Sequence, residues 1–86
     1  MITSPAGNIL RELPCDVSLK DYENDDAFFI RSANGGDICY LPAGNQPGEE
    51  ITKTIDASAY FNDPVQCIKI LKTGTTATGI YVGWGV

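Results

Sequence analysis

Asn34-Gly35-Gly36 separates AFFIRSA, residues 27–33, from DICYL, residues 37–41, and both flanking runs are rich in aromatic and β-branched side chains. Asn-Gly between two such runs is the strongest short-range signal for a β-hairpin, because both central residues of a type I′ turn need positive φ. The stretch predicts two antiparallel strands joined by a tight turn. LPAGNQPGE, residues 41–49, carries two prolines and two glycines and reads as a loop.

The same grammar continues along the chain. EITKTIDA, residues 50–57, is dense in β-branched residues, and VQCIKILK, residues 65–72, sets apolar side chains on both faces. Between them Asn62-Asp63-Pro64 marks a turn, since proline disfavours helix in the residue before it. GIYVGW, residues 79–84, puts Ile80, Val82 and Trp84 on one face and Tyr81 and Gly83 on the other, the period of a half-buried strand. Short strands at regular spacing predict an all-β fold: a small antiparallel β-sandwich or jelly-roll-like domain over residues 25–86. Residues 1–24 are poorer in apolar side chains and predict an extended N-terminal arm, with one possible helical turn at NILREL, residues 8–13. At 86 residues the chain makes one domain.

TGTTATG, residues 73–79, has the two spaced glycines of a phosphate-cradling loop. Such a loop follows its second glycine with Lys and Ser or Thr, which reach the phosphates and magnesium. Here Ile80 and Tyr81 follow Gly79, so the segment reads as a strand-to-strand turn in which glycine relieves backbone strain and threonines suit extended structure or bond locally.

Charge and residue types narrow the function further. Six basic against eleven acidic residues give a net charge of −5, and the cations are scattered, which argues against direct nucleic-acid binding. No apolar run approaches the ~18 residues of a membrane span, and the N-terminus lacks signal-peptide features, predicting cytoplasmic synthesis without a membrane partner. The absence of histidine removes Ser-His-Asp, Cys-His and His-metal chemistry, so the chain reads as a non-enzyme with no catalytic, cofactor or metal residues. Asp21, Glu23, Asp25 and Asp26 begin like a calcium loop, but Asp26 and Ser32 stand where its glycine and last glutamate belong; a solvated acidic loop is the expectation. Cys15, Cys39 and Cys67 are odd in number and widely spaced, and Cys39 and Cys67 sit in apolar runs, predicting inert buried thiols.

Aromatic residues supply the candidate interface. Phe28 and Phe29 are adjacent, so in a strand they point to opposite faces, and Tyr81 raises the same issue beside Val82. Side chains displaced from a small core are what association surfaces use. Phe29, Tyr60, Phe61 and Tyr81 are the interface candidates. A module of another class, a carbohydrate-binding sandwich, would use Tyr60, Tyr81 and Trp84 as a stacking platform.

Ala27 to Ile30, Gly35-Gly36-Asp37, Pro42-Ala43-Gly44, Lys69-Ile70-Leu71, Thr73-Gly74-Thr75-Thr76-Ala77 and Ile80 together resemble the spike-base and decoration proteins of tailed phage heads and gene transfer agents. The likeness runs over residues 27–86. It implies a structural virion protein on the capsid surface, repeated as a trimer or pentamer. It would either cement the major capsid protein or seat a spike or fibre protein. A tail or baseplate adaptor of similar build is the nearest alternative.

Overall fold

The computed structural model describes residues 9–57 and 66–85. Within them the fold is all-β, with six strands: β1 (Ile9–Cys15), β2 (Tyr22–Ser32), β3 (Gly36–Pro42), β4 (Ile51–Ile55), β5 (Cys67–Ile70) and β6 (Ile80–Gly85). Every ladder between strands is antiparallel, and the order across the sheet is β1-β6-β2-β5-β3-β4.

β2 belongs to two ladders. Phe29 to Ser32 pair with β6, whereas Tyr22, Glu23 and Phe28 pair with β5, with an irregularity between Glu23 and Phe28. Side chains alternate across a strand, so Phe28, Ile30 and Ser32 all point inward and all are buried. Phe28 and Ile30 meet Ile80 and Val82 from the wing β1-β6-β2, and Ile38, Tyr40 and Ile70 from the wing β2-β5-β3-β4, in one core cluster. Each such aliphatic or aromatic side chain contributes on the order of 1.5–3 kcal/mol by leaving water. The two wings thus share one apolar interior, in the manner of a sandwich.

Four sequence expectations change. β2 and β3 are consecutive but do not pair as a hairpin, because β5 lies between them. Positive φ falls on Gly35 (76°) and on Gly36 (126°), the first residue of β3. Ala33 N–H bonds the distant Gly79 carbonyl at 2.8 Å, and Gly35 N–H bonds the Ser32 Oγ of the turn at 3.0 Å.

The expected arm is built into the sheet from Ile9 onward. β1 pairs with β6 from Ile9↔Gly85 to Cys15↔Ile80, and Tyr22 opens β2; residues 1–8 lie outside the described residues. NILREL is therefore extended from Ile9 rather than a helical turn, since a waiting partner strand overrides weak local propensity. Of the acidic run, Glu23, Asp25 and Asp26 lie in the start of β2 just after Asp21, although Asp25 and Asp26 are exposed and Asn24 Oδ1 accepts the Asp26 N–H at 2.9 Å.

Both outer strands carry features that discourage a further strand from adding. β1 has a register irregularity between Ile9 and Arg11 and holds Pro14, which offers no backbone donor. β4 has only five residues, and Lys53 lies opposite the buried Ile38, on the core-facing side. Short edges, prolines, bulges and inward-facing charges are the recognised defences of a sheet edge.

Candidate functional site

Register fixes what the outer face of the wing β1-β6-β2 displays. Glu12, Gly83 and Phe29 form one row across the three strands, and Pro14, Tyr81 and Arg31 form the next. The Arg31 guanidinium lies 4.3 Å from the Tyr81 ring centroid and makes two 2.7 Å bonds, from Nε and Nη2, to the Glu12 carboxylate. A bidentate pair laid over an aromatic ring holds a long side chain in one geometry. Phe29 and Tyr81 are half-buried on this side, while Phe28 is wholly enclosed on the other. Two of the four candidates thus share one face. Tyr60 and Phe61 lie outside the described residues.

Tyr81 and Trp84 do not form one platform, because their odd spacing puts them on opposite faces of β6. Trp84 is engaged on the core side: its ring meets Phe28 edge-on at 6.3 Å, Arg11 lies 4.8 Å from its centroid, and its Nε1 donates to the Asp26 carbonyl at 3.2 Å.

The TGTTATG segment does something its local sequence does not announce. Thr75 Oγ1 accepts the Cys39 N–H at 3.0 Å, Thr76 Oγ1 accepts the Asp37 N–H at 3.0 Å, and Thr76 and Ala77 donate to the Asp37 carbonyl. The threonine hydroxyls therefore complete β3 across a sequence distance of 36 to 39 residues, while the Thr75 N–H closes the local turn onto the Lys72 carbonyl. Gly74 and Gly79 hold φ of 92° and 62°, so glycine does relieve strain there as expected.

The thiols separate. Cys67 is fully buried in the core, and burial pushes its pKa up to about 12. Cys39 faces away from the core beneath the 71–77 segment, where a Cβ on Gly74 would come within 3.2 Å of its Cβ. It is half-buried rather than a core thiol. Cys15 is also half-buried, its pKa pushed up to about 11 by burial and then by the neighbouring Asp16 charge.

Sequence reading missed a second feature. Among the described residues the large apolar side chains most open to solvent are Leu19 (87%) and Leu10 (71%), both within the segment expected as an arm. Leu19 lies in the β1–β2 connection beside a groove of about 660 Å³, formed between Pro14–Ser18 and the segment from Lys72 to Tyr81. The only prior signal was an isolated leucine between Ser18 and Lys20.

Among the described residues no group of three or more His, Cys, Asp or Glu side chains is placed to hold a metal ion, and no helix is long and apolar enough to cross a membrane. No family model, curated protein or solved structure matches the chain.

Proposed function

We propose that the chain is a non-catalytic structural protein of a phage-like head, made in the host cytoplasm and seated on the major capsid protein. There it decorates the capsid or forms the base for a spike or fibre protein, repeated as a trimer or pentamer. The observation that carries this reading is the outer face of β1-β6-β2, where Phe29 and Tyr81 stand beside an arginine already fixed by Glu12. Aromatic residues with a preorganised arginine are the composition of interface anchors, and fixing them before contact reduces the entropy lost on binding. The resemblance over residues 27–86 supplies the kind of particle.

Co-sedimentation with purified heads that lack this protein tests the proposal. Wild type pellets with the heads, and Phe29→Ala combined with Tyr81→Ala weakens that binding by roughly 30-fold or more, the equivalent of about 2 kcal/mol for an anchor. Wild type left in the supernatant, or a double variant that pellets as well as wild type, would defeat it.

A further inference from the structure

Asn34 is the only asparagine in the chain that a glycine follows; the others precede Ile9, Asp25, Gln46 and Asp63. An Asn-Gly pair can react with itself. The backbone nitrogen of Gly35 attacks the side-chain carbonyl carbon of Asn34, and glycine leaves that nitrogen unscreened because it has no Cβ. Asn34 is exposed, so water and hydroxide reach it. The fold nevertheless ties down both reacting groups. Gly35 N–H, the nucleophile, donates to Ser32 Oγ at 3.0 Å, and Asn34 Nδ2, the leaving group, donates to Thr78 Oγ1 at 2.9 Å.

The two ties have firm anchors. Ser32 is wholly buried, and its hydroxyl donates in turn to the Thr78 carbonyl. Behind Gly35 the chain is closely packed, since a Cβ there would stand 3.1 Å from the Ala57 nitrogen and from the Ile55 oxygen. A Cβ on Gly79 would stand 3.1 Å from Asn34 Nδ2, so the side-chain amide is flanked as well. For the ring to close, the Gly35 nitrogen must leave Ser32 and the Asn34 amide must leave Thr78. Both motions break contacts of the folded turn, so closure waits on local opening.

We infer that Asn34–Gly35 is a latent deamidation site, held shut by Ser32 and Thr78 and released when the β2–β3 turn opens. On opening, the Gly35 nitrogen gives its proton to hydroxide and bonds to Asn34 Cγ. The Cγ–Nδ2 bond breaks, and Nδ2 takes a proton from water and leaves as ammonia. Water then opens the succinimide. Addition at Cγ yields aspartate in the ordinary backbone, whereas addition at the main-chain carbonyl carbon of residue 34 yields isoaspartate, with the backbone running through the former side chain. The isoaspartyl form lengthens the chain by a carbon just before Gly35, where the space behind is already filled, so the original turn does not re-form. The reaction thus marks, irreversibly, those copies that have opened here.

The test incubates the full chain in mildly alkaline buffer, folded or unfolded in guanidinium chloride, and follows Asn34 by peptide mass spectrometry. The folded wild type converts at least about tenfold more slowly than the unfolded chain, the equivalent of about 1.4 kcal/mol of local opening. Thr78→Val keeps the backbone carbonyl that holds Ser32 and removes only the hydroxyl that holds Asn34. It speeds conversion in the folded chain by roughly two- to fivefold, as expected for one exposed hydrogen bond. Gly48→Ala strains the backbone of another loop, at a φ of 94° with nothing near its Cβ, and leaves the rate unchanged. Folded wild type reacting as fast as the unfolded chain overturns the inference. So does a Thr78→Val chain no faster than wild type, or a Gly48→Ala chain as fast as Thr78→Val.

Discussion

Ser32→Ala removes one oxygen from a side chain with no exposed surface, and its consequences can be worked out atom by atom. The Ser32 hydroxyl donates to the Thr78 carbonyl and accepts backbone N–H groups from Gly35 at 3.0 Å and Asn34 at 3.3 Å. It therefore binds the β2–β3 turn to the segment leading into β6. A buried donor or acceptor left without a partner costs about 1–3 kcal/mol. Asn34 and Thr78 are exposed residues whose backbone groups water can partly satisfy, whereas Gly35 is half-buried. Counting Gly35 in full and the other two, which water partly satisfies, at about half the low end gives a loss of roughly 2–4 kcal/mol. A domain of 86 residues has roughly 4–13 kcal/mol in all, so the change consumes a large share of its stability. At about 4–8 °C per kcal/mol for this size, the thermal midpoint falls by roughly 8–32 °C. Differential scanning calorimetry measures it, with Asn34→Ala as the comparison. That variant removes only the exposed 2.9 Å bond from Nδ2 to Thr78 Oγ1 and should stay within about 0.5–1 kcal/mol of wild type. A Ser32→Ala midpoint within about 3 °C of the Asn34→Ala midpoint would refute the reasoning.

Two other perturbations follow from close approaches and burial. A Cβ at Gly36 would lie 2.8 Å from Ala77 Cα at a φ of 126°, whereas one at Gly48, φ 94°, meets nothing within 4 Å. Gly36→Ala should therefore cost about 3 kcal/mol or more in urea denaturation, against roughly 1–2 kcal/mol of backbone strain alone for Gly48→Ala; equal losses would contradict the packing. Alkaline stability depends on Cys67, whose folded pKa of about 12 stands above the value of 9.0 for an ordinary thiol. Because the folded state keeps a proton that the unfolded chain releases, this contribution is whole below pH 9 and lost as pH rises from there towards about 12. The slope approaches about 1.4 kcal/mol per pH unit for this one group. Burial also raises the Tyr40 pKa, with the same sign, so the comparison is between wild type and Cys67→Ala. Identical pH slopes for the two proteins would rule out the thiol as the cause.

Local alternation was legible in the sequence wherever a strand buries one face. Phe28 inward and Phe29 outward, or Val82 inward and Tyr81 outward, need only the period of two and a core on one side. Strand adjacency was not legible in the same way, because it depends on distant partners. Asn34-Gly35-Gly36 specifies a sharp turn, but nothing within residues 27–41 records that β5 will lie between the two strands. Ile9–Cys15 looked like an arm since its partner is some seventy residues further on, at Ile80–Gly85. The outward placement of Phe29 and Tyr81 could be read from residue order, whereas the Arg31–Glu12 pair that steadies their surroundings spans 19 residues and two ladders. The groove beside Leu19 was hidden for the same reason, its walls coming from residues 14–18 and 72–81.

The position of β6 between β1 and β2 governs how this chain can acquire its structure. Those two strands precede β6 by about fifty residues or more, and neither pairs with the other. Until Ile80–Gly85 arrives, β1 has no strand beside it among the described residues, and the inner faces of Ile30 and Phe28 lack Val82 and Trp84 to close over them. An N-terminal fragment ending before Gly79 is accordingly expected to remain open and adhesive rather than form a smaller stable unit. Closing so long a loop before its contacts reward it places folding in the slow range of about milliseconds to seconds typical of non-local β topologies. The insertion of one strand is then the committing event, and the first half of the chain gains its order from the last.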